Sequence, residues 1–560
     1  MGSALSDLPS WWSEAGSAGW NQDLWLGATP PWTLGGVALG AWSLLEPDRA
    51  PVNLVFPGVA GMQTPLVWYD TVAVVAGEGA AWQGFGASLA TATGWTRRLP
   101  GRGDARATLD LRTGDFAFDE NTLTIERGDS SAWMRGEVAG DSRGLAQGYA
   151  VSGRHQWGAA GGMIRGRHSL QAAYTERGAA ASLVSEEEQG SSGESGALRY
   201  RLRAGALDAG LSLERSYDHH DSFNLGNLDL RPYSRRDAQA VAGAADARYR
   251  SGLGDLAMRL EVRRARVRRS GGDAFDRRST SAWGALRLER GLGDGIGRLE
   301  IGAGRHSWTG YDLAPALSYR VQTPSFTGRV GVERVLYPVW ADLAPAQETF
   351  LQRTWAGVIE VAAGGSTLPR ARATFLAGRT YDRALVSRLP LEELWLRFGS
   401  RADPAPYDFG LLMLEAVWKG RRLSAGGDGY VLARSQNTAQ PLVDPALGMR
   451  SWAAWDFTAF SGDLGVTLRA ELEGVGGRET EGESSALCGE FEGIPSRTLP
   501  PYVTTGATAV LTLAGAVFTV RVRNLEDRPH EETWVDCAAV SEALGPGREW
   551  RFAVTVRLMN

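Results

Sequence analysis

Trp550-Arg551-Phe552-Ala553-Val554-Thr555-Val556-Arg557-Leu558 lies near the C-terminal end, and its even-numbered residues are all large and apolar. Its odd-numbered residues are Arg, Ala, Thr and Arg. A period of two sends successive side chains to opposite faces of a sheet. The same alternation runs through Leu198-Arg199-Tyr200-Arg201-Leu202-Arg203 and recurs over 256–263, 466–473 and 518–523. One such run fits a half-buried strand of a soluble sandwich. About a dozen, charged on one face and with no helical segments between them, fit a transmembrane barrel with apolar residues toward lipid and polar ones toward the lumen. Trp550, Phe552, Val554, Val556 and Leu558 are therefore expected to point outward, and Arg551, Thr555 and Arg557 inward.

The connections support this reading, because outer-membrane barrels have short turns at one end and long loops at the other. Tight turns are expected at 252–254, 291–295, 364–366, 419–421, 461–463 and 514–515, alternating with long polar stretches at 217–235, 267–278, 336–349, 379–407, 434–449 and 474–502. Strand starts near 105, 120, 132, 147, 166, 195, 207, 236, 255, 279, 296, 314, 326, 350, 369, 408, 422, 450, 464, 503, 516 and 548 give twenty-two strands. Leu391 to Gly399 could form another strand, but an odd count would break the parity, so it is assigned to the 379–407 loop. The fold class expected is all-β: a large antiparallel transmembrane barrel over 101–560, preceded by a small N-terminal segment over 1–100.

Composition narrows the class further. The chain has 560 residues, 72 of them Gly, with 43% hydrophobic residues and a net charge of −5. Glycine follows no three-residue period, which excludes collagen. The abundance of aromatic and β-branched residues excludes disorder. A pI near 5.9 speaks against a nucleic-acid partner. No run approaches the ~18 apolar residues of a membrane helix. The basic residues are almost all Arg, Lys419 being the single lysine. No secretory leader is legible around Trp11 and Trp12, and the first basic residue is Arg49, so a leader is expected upstream.

Few side-chain constellations suggest chemistry. Asp218-His219-His220-Asp221 is the one His-rich cluster; it is read either as a solvated outer loop or as a contact for a metal chelate. Gly291 to Gly297 resembles a dinucleotide fingerprint but lies between strands, so it reads as a turn. Glu186-Glu187-Glu188 reads as a solvated stretch in a Ser/Gly-rich loop. Arg199, Arg201, Arg203, Arg259, Arg263, Arg287, Arg469, Arg521, Arg523, Arg551 and Arg557 fall on the polar side of their strands, with Glu261, Glu289, Glu300, Glu471 and Glu473. They could form cross-strand ion pairs worth about 0.2–1 kcal/mol each, or a lumen that attracts anions. No nucleophile and base pair up, since His155, His168 and His306 have no flanking motif, so no enzyme and no cofactor are expected. Cys488 and Cys537 fall in the neighbouring outer loops 474–502 and 524–547, where an oxidising environment would join them.

Several motifs resemble the TonB-dependent outer-membrane receptor family. Leu499-Pro500-Pro501-Tyr502-Val503 resembles its entry into the third-last strand. Arg523-Asn524-Leu525-Glu526-Asp527-Arg528 resembles its N-L-x-D signature, and Pro546-Gly547-Arg548-Glu549-Trp550-Arg551-Phe552 its P-G-R start of the last strand. Thr71 to Gly84, with Gly77, Gly79 and Gly84, resembles the end of its plug and a Gly-rich turn. The resemblance implies uptake of a scarce small-molecule solute, such as a metal chelate or oligosaccharide, across the outer membrane. It also implies surrounding outer-membrane lipid and an inner-membrane energy-coupling protein or other envelope proteins as partners. The chain departs from the family in three ways. It ends Leu558-Met559-Asn560 rather than in an aromatic, residues 1–30 show no coupling box, and the part before the first strand is short and holds nine of the 21 tryptophans. The alternative is therefore a passive channel or structural barrel with a reduced plug and no energy coupling.

Overall fold

The computed structural model describes residues 32–34, 37–40, 44–45, 69–76, 79–85 and 90–96 of the N-terminal part. It then describes 105–559 except 116–117, 130, 145–150, 183–186, 225–233, 253, 272–274, 308–309, 340–349, 365–368, 382–406, 435–446, 480–497 and 529–546. The first barrel strands are β1 (Ala105–Gly114), β2 (Phe118–Gly128), β3 (Ala132–Gly144), β4 (Val151–Arg165), β5 (His168–Ser182), β6 (Glu187–Ala204) and β7 (Leu207–Asn224). The wall continues with β8 (Ser234–Ser251), β9 (Gly254–Gly271), β10 (Phe275–Leu292), β11 (Gly295–His306), β12 (Gly310–Gln322), β13 (Phe326–Val339), β14 (Phe350–Ala363) and β15 (Arg370–Tyr381). It is completed by β16 (Tyr407–Lys419), β17 (Leu423–Arg434), β18 (Leu447–Ala459), β19 (Leu464–Val475), β20 (Tyr502–Leu513), β21 (Ala516–Arg523) and β22 (Glu549–Met559).

Each strand pairs antiparallel with its sequence neighbours, and the 22 strands form a closed barrel. The seam joins the two ends of the wall, with β22 pairing β1 from Arg551 opposite Gly114 to Met559 opposite Arg106. Closure removes every free sheet edge, which a lipid environment requires because it offers no water to unpaired backbone groups. The strand number agrees with the sequence reading.

The faces follow the period of two. On β9, Leu256, Met258, Leu260 and Val262 are exposed while Arg259, Glu261 and Arg263 are buried. A soluble sheet would have the reverse arrangement; apolar outside and ionic inside is the pattern of a barrel in lipid. On β22, Trp550, Phe552 and Leu558 are exposed, and the first two rings stack at 6.4 Å. Between them, the Arg551 Nε donates to Glu549 at 2.7 Å. Tight turns close one end, with Gly293 at φ +57° and Gly205 at φ +60° supplying the left-handed conformation.

The wall is taller than the apolar pattern indicates. β6 begins at Glu187, β7 reaches Asn224, β9 reaches Gly271 and β10 begins at Phe275. The backbone of Glu187-Glu188 and of Asp218-His219-His220-Asp221 is therefore in strands rather than loops, which corrects both expectations. Apolar alternation stops where the lipid stops. The backbone ladder needs no apolar face and continues beyond it. Leu391 to Gly399 lies outside the described residues.

At the long-loop end the family-like motifs knot together. Asn524, at φ +48°, and Asp527, at φ +54°, hold left-handed conformations. The Asn524 amide donates to the Arg528 carbonyl at 2.7 Å and accepts the Arg528 N–H at 3.2 Å. Asp527 accepts the Arg548 N–H at 2.7 Å, and the Arg548 guanidinium donates to the Leu525 carbonyl at 3.0 Å. A Cβ on Gly547 would lie 2.6 Å from the Asp527 Oδ1, so glycine there permits the close approach. Asp115 accepts the Trp550 N–H at 2.7 Å across the seam.

Before the barrel, Tyr69–Ala76 and Ala90–Thr96 pair antiparallel, and Leu44–Leu45 adds in parallel to the second of them. Between the first two lies a one-turn helix, α1 (Ala80–Gln83). No helix among the described residues is long and apolar enough to cross a membrane.

Candidate functional site on the inner wall

α1 lies against β10, β11, β12 and β13. Gly79, at φ +92°, and Gly84, at φ +80°, turn the chain sharply on either side of it. The tight bend brings Ala81, Trp82 and Phe85 to the wall. Trp283 of β10 shares the inward phase of Arg287 and Glu289, and its Nε1 donates to the Ala81 carbonyl at 3.0 Å. Phe85 meets the Trp283 ring edge-on at 5.1 Å and the His306 ring at 5.6 Å. Ala285, Ala314 and Leu336 complete a buried cluster with Ala81, Phe85 and Trp283.

Small residues make room for this contact. A Cβ on Gly302 would stand 2.3 Å from Trp283 and 2.4 Å from the Ala81 oxygen, and one on Gly304 would stand 2.5 Å from the Trp283 ring. Gly84 is constrained twice: its φ is positive and its Cβ would lie 2.7 Å from Trp283. Ionic groups frame the apolar area. Arg259 donates to the Trp82 carbonyl at 3.2 Å, and Arg287 stacks over the Trp82 ring at 4.6 Å. The Arg287 Nε in turn binds Glu300 at 2.6 Å. Glu261 bridges Arg259 and Arg263, with 2.7 Å to the latter.

Elsewhere the inward arginines meet carboxylates. Arg199 pairs with Glu214 at 2.8 Å, and Arg201 with Asp208 at 2.5 Å. Arg203 stands 3.6 Å from the same Asp208. Arg521 pairs with Glu471 at 2.8 Å and Arg523 with Glu473 at 3.3 Å. Arg557 is exposed and lies beside the 514–515 turn, its N–H donating to the Gly515 carbonyl at 2.9 Å. The wall is thus a lattice of ion pairs, with the apolar area of β10–β13 set into it.

The remaining sequence candidates do not gather into a site. On β7, Asp218 and His220 occupy positions of one parity and His219 and Asp221 of the other, so four ligands cannot converge. The His219 Nδ1 is hydrogen-bonded to Asp237 at 2.7 Å. Among the described residues no group of three or more His, Cys, Asp and Glu side chains could hold a metal ion. Gly77, Cys488, Cys537 and the side chains of Asp218, His220 and Asp221 lie outside the described residues. Trp283, Gly302, Gly304 and Leu336 were not singled out by the sequence. The available signal was the phase of Trp283, a large apolar residue on the charged side of its strand.

This architecture is shared with solved structures. The chain covers 95% of its length on 94% of the siderophore receptor PirA from Acinetobacter baumannii, with a TM-score of 0.71 and 12% identity. It covers 96% on 95% of the FrpB iron transporter from Neisseria meningitidis, with a TM-score of 0.74 and 11% identity. Against the copper transporter OprC the coverage is 95% on 93%, the TM-score 0.73 and the identity 14%. At these identities the likeness is one of fold. No protein-family model matches the sequence, and no curated protein matches it.

Proposed function

We propose that the protein is an outer-membrane receptor that takes up a scarce solute, with residues 1–100 as its plug and 101–560 as its barrel. The observation that carries this reading is the docking of Ala81–Phe85 on the inner wall through Trp283. A barrel of this size leaves an aqueous channel unless something fills it, and the docked turn belongs to the segment that could fill it. Structures with the same fold are described as siderophore, iron and copper receptors or transporters. That favours a metal chelate over an oligosaccharide as the solute. Opening the lumen means breaking the Trp283 contacts, which motivates an energy-coupling protein of the inner membrane as partner. Neither an enzymatic step nor a resident cofactor is part of this proposal.

The test is uptake of radiolabelled ferric and cupric chelates by cells with and without the gene. Uptake that depends on the gene and stops when the proton gradient is collapsed is the expected result. Gene-independent uptake of every chelate would refute the transport reading, and persistence without the gradient would favour a passive channel. In planar bilayers, deleting residues 1–95 should raise single-channel conductance, and unchanged conductance would remove the plug assignment. Cys488 and Cys537 are proposed to form a disulfide across neighbouring outer loops. Two free thiols by mass-shift labelling of the unreduced, denatured protein would refute it.

A further inference from the structure

The ladder between β12 and β13 is broken. It runs from Gln322 opposite Thr327 to Ala316 opposite Glu333 and stops there. Both strands continue toward the long-loop end, β12 through Pro315 to Gly310 and β13 from Arg334 to Val339. Their other edges stay paired over this stretch. β12 follows β11 as far as His306 opposite Gly310, and β13 follows β14 as far as Val339 opposite Phe350. Among the described residues, no other joint of the wall leaves several residues of both strands unpaired. Here the wall has a slit.

Pro315 is one cause, because it has no N–H to give a ladder and proline within a sheet belongs at an edge. Side chains take over the groups that the ladder leaves. The Leu313 N–H donates to the Asp312 Oδ1 at 2.9 Å, and the Leu313 carbonyl accepts the Arg334 guanidinium at 2.7 Å. Arg334 pairs with Asp312 at 2.9 Å, and Arg353 of β14 pairs with the same carboxylate at 2.8 Å. One carboxylate and two guanidinium groups thus bar the slit, where lipid would otherwise meet unpaired backbone.

The slit coincides with the apolar area of the inner wall. Ala314 on one side of it and Leu336 on the other both belong to the buried cluster that holds Ala81 and Phe85. α1 therefore stoppers the slit from within. Val335 and Leu336 are consecutive and so take opposite faces of their strand, yet both are buried. Leu313 and Trp355 beside them are exposed on the outside. An apolar path leads from Trp283 past Leu336 to the lipid face, whereas the rest of the inner wall is set with ion pairs.

We propose that this slit is a side gate, through which an apolar small molecule passes between the lumen and the membrane once α1 withdraws. A hydrated ion gains nothing by this route, since lipid lies at its outer end. Asp312 is the bar. When it lets go, the Trp355 ring, 6.0 Å from the Arg334 guanidinium, offers that cation another resting place.

The inference rests on the reading of the chain as an outer-membrane barrel stoppered by its N-terminal segment, and the experiment separates the two. The full chain is reconstituted in lipid vesicles. An apolar aryl diazirine is dissolved in the bilayer, with glutathione in the water to quench stray probe, and labelled residues are mapped by peptide mass spectrometry after illumination. In the wild type, Leu260 and Val262 should be labelled and Val335, Leu336 and Trp283 spared. Asp312→Asn exchanges charge-assisted bonds for neutral ones and should raise labelling of Val335 and Leu336 about tenfold. Adding Phe85→Ala, which loosens α1 without touching the wall, should extend the label to Trp283 and Ala285. Adding Pro315→Val, which returns a donor to β12, should lower it again. Glu471→Gln, elsewhere on the inner wall, should match the wild type. Heat-modifiable gel mobility identifies folded barrels in every preparation. Should Asp312→Asn fail to fold, Arg353→Gln with Phe85→Ala carries the test. The gate is overturned if folded variants stay unlabelled at Val335 and Leu336, or if the label never reaches Trp283. It is overturned equally if Phe85→Ala alone admits the label to Trp283 as well as the double variant does, or if the wild-type slit is labelled like Leu260. Leu260 and Val262 spared in every preparation would instead overturn the membrane reading.

Discussion

Two stretches of the inner wall use the same strand geometry to opposite ends. On β10–β13, Trp283, Ala285, Ala314 and Leu336 face inward and bury Ala81 and Phe85. On β18–β21, Glu471 is surrounded by arginines: Arg469 binds it at 3.1 Å and Arg521 at 2.8 Å, while Arg469 lies over the Trp452 ring at 4.6 Å. A landing place for the N-terminal segment is made by withdrawing charge from a few inward positions and thinning two of them to Gly302 and Gly304. On the charged side the inward Trp452 ring is covered by Arg469.

The comparison breaks most severely at Trp283. Trp283→Ala removes the ring against Phe85 and the bond to Ala81, a loss of about 3–5 kcal/mol by analogy with other Trp truncations. Residues 79–85 should then become cleavable by protease in the folded protein, and conductance should rise. Full protection would show that the segment is held elsewhere. Gly302→Val leaves the indole in place but fills its space, and strain of about 1–3 kcal/mol should loosen the same turn. A smaller effect is expected on the other side. Glu471→Gln removes the charge that Arg469 and Arg521 share at 3.1 and 2.8 Å. It should leave the protease pattern at 79–85 unchanged while shifting the reversal potential toward anions. If the segment loosens here as well, the two walls are not independent.

The smallest expected effect is at the rim. Glu526 accepts the Thr505 hydroxyl and the Thr505 N–H, the latter at 3.1 Å, and the hydroxyl bond above all holds its carboxyl below the usual carboxylate range. A depressed carboxylate contributes stability above its unfolded pKa and loses it as pH falls through the lowered folded value. Thr505→Val should therefore flatten the acid limb of the unfolding profile below about pH 4.5 and slightly lower stability at neutral pH. An unchanged acid limb would assign that limb to other groups.

Much of the fold was legible because strands that face lipid on one side and the lumen on the other alternate over most of their length. Leu198-Arg199-Tyr200 and Trp550-Arg551-Phe552 announce their faces residue by residue. The tall ends of β6–β10 were less legible, since Ser191 to Gly196 and Ser216 to Asp221 carry no apolar rhythm there and are strands by backbone pairing alone. The docking area was the hardest to read. Trp283 and Ala81 are separated by 202 residues, and no local spacing links them. The resemblance at Asn524, Asp527, Gly547 and Arg548 now has a physical reason, since these residues tie the rim of β21 to the start of β22.

The seam between β22 and β1 bears on how the wall comes into being. Its hydrogen bonds join the first and last strands of the barrel, so they cannot form until β22 has been made. Until then the growing sheet has two raw margins, each a row of unpaired N–H and C=O groups able to recruit another chain. Contacts this distant in sequence also form slowly. Assembly of this protein is accordingly a race between ring closure and aggregation, and the outcome turns on the strand that closes the ring, Glu549–Met559.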